Sequence, residues 1–403
     1  MESLHLGTQP QQPTSAERAD RETATARGDP RLSRNTILLG DVRERLAELP
    51  ASSVDSVITS PPYFGVRNYG HDQQLGAEAD VEGWVADLRA VCREVARVLR
   101  PTGSLWLNLG DGYSRRAAEG AAMKSLLLGP SRVALGLLQD GWILRNQVVW
   151  AKSNPMPTSV TDRLSCTYEV VYFFTRSRSY YFDLDAIRVP LRTTRRQTTS
   201  DAGRSYPPVG VGAPNRQGWT HNDNQGLSRM KAGGLAGHPL GKNPGDVWTL
   251  PTAGFRGGHF AAFPGSLVER PLLATCPERV CSSCGRSWQR ELERRQGRLL
   301  AVGQMQPTCR CEAEGLPGIV LDPFMGTGTT ALVAEEYGRD WVGIELNPAY
   351  VAMAEERLAA ARVERMKETA DAPRQPNGTN NGATKDLPTP VARASPGSGR
   401  RAA

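Results

Sequence analysis

Apolar positions along residues 35–365 switch repeatedly between two periods. Short apolar or alternating runs predict strands in "NTILLGD" (35–41), "SVDSVITS" (53–60), "GSLWLNLGD" (103–111), "ILRNQVVWAK" (143–152) and "YEVVYFFTRS" (168–177). "GIVLDPF" (318–324) and "DWVGIELN" (340–347) read the same way. A helical period appears in "VRERLAEL" (42–49), which Pro50 stops, and in "VEGWVADLRAVCREVARVLR" (81–100). In the second, Trp84, Leu88, Val91, Val95 and Leu99 share one face, and Pro101 and Gly103 end it. Further helices are expected in residues 128–142, 329–339 and 348–366. Strands alternating with helices imply an α/β fold with a doubly wound, mostly parallel sheet. In such sheets ligands bind at the carboxyl ends of the strands.

Two stretches break the pattern. Residues 185–257 are rich in Gly, Pro, Arg, Asn and Gln, with eight Arg or Lys and two Asp between 190 and 245. So long an irregular segment inside a compact domain is functional or disordered. Residues 276–315 form a second insertion, rich in cysteine. The polar ends, 1–33 and 366–403, read as a disordered leader and tail. The formal net charge of +7 favours an anionic partner such as nucleic acid. No run of about 18 apolar residues exists to span a membrane. The first residues lack the apolar core of a secretory signal, so seven cysteines are expected as thiols in a reducing, cytoplasmic setting.

"VLDPFMGTGTTALVAEEYGRDWVGIELNP" (320–348) places a strand end at Asp322, glycines at 326 and 328, and a helix start near Thr329. Glycines let a backbone approach a ligand closely, and free N–H groups at a helix start favour an anion. Glu345, seventeen residues after Gly328, ends the next strand, where a carboxylate suits a ribose diol. A plain strand-to-helix turn explains the glycines alone; the two acids do not follow from it. No lysine follows the glycines, which argues against a P-loop. Dinucleotides and S-adenosylmethionine share this grammar.

"SPPY" (60–63) closes the second predicted strand. Its prolines fix φ and remove two N–H donors, so a stiff frame of acceptors remains. Those acceptors, with the Ser60 hydroxyl, suit the hydrogens of an exocyclic amine, and Tyr63 offers a ring on which a base can stack. A Pro-Pro strand cap with Tyr63 as packing is the bland alternative. No Pro-Cys pair is present to act as a nucleophile on a base.

"TSPPY" together with "LDPFMGTGTT" resembles the amino-methylating DNA methyltransferases, which modify N4 of cytosine or N6 of adenine. The likeness covers most of residues 35–365, including "LLGD", "VVWAKSNPMPTSVTDR", "YEVVYFF" and "HFAAFPGSLVERPLLA" (259–274). The catalytic motif precedes the cofactor motif, as in the permuted β group of that family. The resemblance implies a fold of the S-adenosylmethionine-dependent methyltransferase type. Its catalytic half would be 34–184, its target-recognition region 185–257 and its cofactor-binding half 258–365. It implies that Asp322, Phe324, Gly326 and Gly328, with Thr329 at the helix start, line the methionine end of the cofactor. Glu345 would bind the ribose, Asp41 would face the adenine, and Phe263 would pack on the cofactor. Ser60, Pro61, Pro62 and Tyr63 would be catalytic, acting by direct transfer to a base flipped out of double-stranded DNA. In the family a leading serine is commoner among cytosine-N4 enzymes, so cytosine is expected and adenine-N6 is the alternative. A modification enzyme acting beside a cognate restriction endonuclease is implied. A non-catalytic DNA-binding protein of the same fold is the competing class; intact motifs argue against it.

The second insertion carries Cys281 and Cys284, two residues apart and followed by Gly285, and then Cys309 and Cys311. Four thiolates in such pairs suit a tetrahedral structural zinc, with Cys276 as a spare ligand. Arg286, Arg290, Arg294, Arg295 and Arg298 in this insertion either reach phosphate or cover a solvated helix face. Asn154-Pro155-Met156-Pro157 with Arg163 is either a rigid turn or a loop beside the target base. Trp248 and Phe255 anchor the polar segment or stack on bases.

Overall fold

The structure, a computed structural model, describes residues 32–66, 74–190, 238, 240–253, 263–295 and 298–371. Its strands and helices in chain order are β1 Thr36–Leu39, α1 Val42–Glu48, β2 Val54–Thr59, α2 Val81–Val98, β3 Leu99–Leu109 and α3 Gly129–Gln139. There follow β4 Ile143–Lys152, β5 Tyr168–Thr175, β6 Val247–Leu250 and α4 Gly265–Thr275. The second insertion holds β7 Val280–Cys281, β8 Gln289–Arg295, β9 Arg298–Gln306 and β10 Gly315–Leu316. The chain continues through β11 Ile319–Asp322, α5 Thr329–Glu336, β12 Asp340–Glu345 and α6 Pro348–Asp371.

Each predicted strand and helix is present, with ends shifted by a few residues. Local chemistry explains the starts. Asp41 and Asp80 cap α1 and α2 by accepting from the N–H groups of Arg43 and Gly83, at 2.8 Å each. On α2 the apolar face buries Trp84, Leu88, Val91 and Val95.

The eight-stranded sheet runs β1-β12-β11-β2-β3-β5-β4-β6. From β1 to β3 all neighbours are parallel; β5 is antiparallel to β3 and β4, and β6 runs parallel to β4. Successive residues on a strand face opposite layers. Val57, Leu105 and Leu321 join a core beneath α1, α2 and α3, while Ile58, Trp106 and Val320 join one beneath α4, α5 and α6. After β11 the chain turns toward β1, and after β2 it turns toward β5. The switch point therefore lies between β11 and β2, where a ligand crevice opens.

Three expectations need correction. The arginine-bearing part of the second insertion is not a helix: β8 and β9 form an antiparallel hairpin. Arg290 there pairs with Glu278 at 2.5 Å, so it is already answered by the protein. Second, residues 185–257 are not irregular throughout, because β6 adds an edge strand to β4 through Val149↔Val247 to Lys152↔Leu250. Trp248 on it is buried beside Trp106, so it anchors the segment rather than facing solvent. Third, the expected ends move. Leu32 packs against the core, and helical bonding carries α6 to Asp371, past the boundary at 365. Compact contacts divide the chain at Ala361, and from Arg362 onward the described residues are the last turns of α6. Most of the leader, the tail after 371, residues 191–237 and Phe255 lie outside the described residues.

Candidate active site

The crevice at the switch point is a cleft over the carboxyl ends of β1, β2, β11 and β12. One wall is the turn from Pro323 to Thr329, and the opposite wall is Gly40, Asp41 and Val42 at the end of β1. Gly326 and Gly328 adopt φ of +52° and +80°, which a side chain rarely adopts. At Gly328 a Cβ would stand 3.1 Å from Ala354 Cβ, so this glycine packs the turn down on α6. At Gly326 no atom beyond its chain neighbours lies within 4 Å of that position, so the turn leaves open space there, while its N–H is taken up by Glu345.

Glu345 stands across from it at the end of β12. Its Oε2 accepts from Gly326 N and its Oε1 from Asn347 N, both at 2.8 Å. Burial raises its pKa above the usual carboxylate value, opposed by those N–H donors. A carboxylate has about four acceptor sites, so acceptor capacity remains for a ligand. Asp41, Phe263, Phe324 and Thr329 also line the cleft. Asp322 and Gly328 do not line it. Asp322 is buried below the floor, where it accepts from Thr59 Oγ1 and Thr330 Oγ1 at 2.7 Å each and from Phe324 N at 3.1 Å. Burial pushes this carboxyl up to about 6 despite the three donors. Its placement makes it a tie between β2 and the glycine turn. Asn347, Tyr350, Gln74 and Leu75 line the cleft as well and were missed from sequence. For Asn347 and Tyr350 the available signal was position, immediately after a strand-ending acid.

The other end of the cleft holds Ser60 and Pro62. Pro61 is buried and Tyr63 half-buried, and neither is on the lining. The Pro62 carbonyl accepts from Trp84 Nε1 at 3.0 Å, which ties the turn to α2. The Tyr63 ring lies against Gly110, where a Cβ would come within 2.6 Å of Cε2. Its hydroxyl donates to Glu169 Oε2 at 2.6 Å, and Ser60 Oγ lies 3.1 Å from the same hydroxyl. Asn108 Nδ2 reaches Tyr63 Oη and Glu169 Oε2 at 2.8 Å each and Ser60 Oγ at 3.2 Å. Lys152 Nζ closes the cluster at 2.6 Å from Glu169 Oε1. Asn108, Lys152 and Glu169 come from three different strands; Lys152 and Glu169 fall in stretches that carry the family likeness, but no role was read for any of the three from sequence.

Along 54–356 the sequence matches a family model described as DNA methylase. The chain belongs to this N6/N4 family of DNA methylases. Among its relatives, the methylase is 31% identical over 411 residues to the type II methyltransferase M.SfiI of Streptomyces fimbriatus, covering 78% of this chain and 89% of that one. It is 32% identical over 346 residues to M.XycI of Xanthomonas campestris pv. cyanopsidis, covering 80% and 87%. A solved structure titled PvuII DNA methyltransferase (cytosine-N4-specific) is 18% identical, with a TM-score of 0.44, over 83% of this chain and 93% of that one. The family match fits the doubly wound, mostly parallel sheet, with the Ser60 turn and the glycine turn on adjacent strands.

Away from the cleft, four cysteines converge. The Sγ atoms of Cys281, Cys284, Cys309 and Cys311 all lie within 4.8 Å of one another. Cys276 is not among them; it is wholly buried in the core under α4. All seven cysteines are free of disulfides. Asn154 Oδ1 accepts from Thr252 N at 2.7 Å, so the loop after β4 is tied to the segment after β6, while Met156 and Leu164 stand exposed. Arg163 stacks on Tyr113 at 3.7 Å. Among the described residues no helix is long and apolar enough to cross a membrane.

Proposed function

We propose that the methylase transfers a methyl group from S-adenosylmethionine to the exocyclic N4 amine of cytosine in double-stranded DNA. The observation that carries this reading is the single cleft that joins Gly326 and Glu345 at one end to Ser60 and Pro62 at the other. The open space at Gly326 and the remaining acceptor capacity of Glu345 suit the polar end of a nucleoside cofactor. Phe263, Phe324 and Leu75 give it apolar walls, and Asp41 stands at the far wall.

When bound, the cofactor supplies an electrophilic methyl on a sulfonium. The chain's part is to hold an amine in line with that methyl and to exclude water, which supplies much of the rate in such a transfer. The base must leave the stack to reach the cleft. The Ser60 hydroxyl accepts one amine hydrogen and turns the nitrogen lone pair toward the methyl. The amine would take the methyl as the C–S bonding pair goes to sulfur, and it would then pass one proton to solvent water. The Asp322 tie to Thr59 and Thr330 holds the two ends of the cleft in fixed relation.

Ser60 supports cytosine over adenine; adenine-N6 is the alternative within the same chemistry. Residues 185–257, basic and placed between β5 and α4, are proposed as the target-recognition region. The type II relatives support a place beside a cognate restriction endonuclease, in the cytoplasm. We assign the four-cysteine cluster to a structural zinc, which takes four thiolates at about 2.3 Å. Burial opposes the Cys281 thiolate, but the N–H groups of Cys284 and Ser283 together with the Cys309 and Cys284 thiols bring it down to about 7. Burial pushes Cys284 up to about 12.

The first experiment is nucleoside mass spectrometry of unmethylated, mixed-sequence DNA incubated with the protein and S-adenosylmethionine. N4-methylcytosine is the expected product. N6-methyladenine would overturn the base and keep the cleft chemistry. If no base is methylated and a titration detects no bound cofactor, the chain is instead a DNA-binding protein on a methylase fold.

A further inference from the structure

The hydroxyl of Ser60 can either give a hydrogen to the target amine or accept one from it, and only acceptance turns the nitrogen lone pair outward. The choice is decided away from the cleft. Glu169, on β5, is a carboxylate and has no hydrogen to give. The Tyr63 hydroxyl therefore spends its one hydrogen on Glu169 Oε2, at 2.6 Å. In the 3.1 Å contact between Ser60 Oγ and Tyr63 Oη, the donor must then be Ser60. Asn108 adds only N–H hydrogens on this side: its Nδ2 faces Glu169, Tyr63 and Ser60. Turning its amide over would set a second acceptor against the carboxylate. Lys152 holds the other carboxylate oxygen at 2.6 Å and fixes Glu169 in place. Ser60 Oγ, with its hydrogen committed to Tyr63, has only lone-pair capacity left for the cleft it lines.

We infer that Glu169 is a positioning residue that sets the direction of the chain Ser60→Tyr63→Glu169, so that Ser60 meets the target amine as an acceptor. This rests on the proposed role of Ser60. Glu169 does not line the cleft; it acts through Tyr63, 106 residues away in sequence. In Glu169→Gln an amide N–H facing Tyr63 would reverse the chain, and Ser60 would point its hydrogen at the amine.

The test is a double-mutant cycle on the full chain. Single-turnover transfer of labelled methyl groups to unmethylated, mixed-sequence DNA is measured for Ser60→Ala, Glu169→Gln and the pair, alongside cofactor titrations. Expected are a loss of at least tenfold in turnover for E169Q, cofactor affinity within twofold of the parent, and a double variant no slower than S60A. A purely structural role would instead weaken the cofactor or multiply with the S60A loss. Tyr63→Phe, which breaks the same chain, takes the place of E169Q if that variant no longer binds cofactor. Parental turnover in E169Q, or losses that multiply, would overturn the role of Glu169. Parental turnover in S60A would instead overturn the proposed role of Ser60, and this inference with it.

Discussion

Strand β2 carries a buried acid near one end and a cleft-lining serine just past the other, and the two ends are treated differently. At the amino end, Asp55 is enclosed: Arg100 pairs with it at 3.1 Å and Ile319 N donates to it at 2.8 Å. Ser56 bonds Thr275, and Gly285 of the cysteine insertion comes so close to Arg100 that a Cβ there would overlap the guanidinium. Protein groups answer protein groups. At the carboxyl end, Gly326 leaves open space in the cleft wall, Glu345 keeps acceptor capacity, and Ser60 keeps lone-pair capacity. The same parallel sheet thus has one end built for stability and one held open, because parallel strands bring all their carboxyl ends to one edge.

That contrast can be broken from the closed end first. Arg100→Met leaves Asp55 buried without its cation and should cost about 3–5 kcal/mol of stability in denaturant unfolding, with cofactor affinity of the folded protein unchanged. A loss at the cofactor instead would show the two ends to be coupled. The next effect is in Asp322, which joins them. Its folded pKa, about 6, lies above the ordinary 3.8, so the folded state holds its proton longer than the unfolded chain. Its contribution to stability therefore falls as pH rises from about 4 to about 6, by up to ~3 kcal/mol, and is level beyond. Asp322→Asn should remove that slope in unfolding measured across the window; an unchanged slope would assign it to other groups.

At the open end, Glu345→Gln should weaken S-adenosylmethionine by roughly 1.5–3 kcal/mol, the usual worth of a charged hydrogen-bond acceptor, in a calorimetric titration. Smallest at the cleft is the effect of Cys284→Ser. It should lower bound zinc below one per chain and lower the melting temperature, while cofactor affinity stays within twofold. Full zinc retention in that variant would remove Cys284 from the ligand set.

Much of this was legible beforehand, because secondary structure, caps and tight turns are written in neighbouring residues. The apolar period of α2, the all-buried β2 and the positive-φ glycines of the turn after β11 each follow from a few adjacent positions. The paired cysteines were legible for the same reason. The hairpin β8–β9 was not, since its charged sequence fits a helix face equally well until a partner strand pairs with it. β6 was hidden in the same way: four residues become a strand only because β4 offers them an edge.

The sequence by itself determined the order of strands and helices, the turn at Gly326 and Gly328, the acid at 345 and the Ser60-Pro61-Pro62-Tyr63 corner. Only the tertiary structure decided that Asp322 lies beneath the cleft rather than in it, that Cys276 stays out of the cysteine cluster, and that Glu169, Asn108 and Lys152 stand behind Ser60. The physical reason is range. Periodicity and turn chemistry act over a few residues, whereas strands β3, β4 and β5 bring those three side chains to one point only after the sheet has paired.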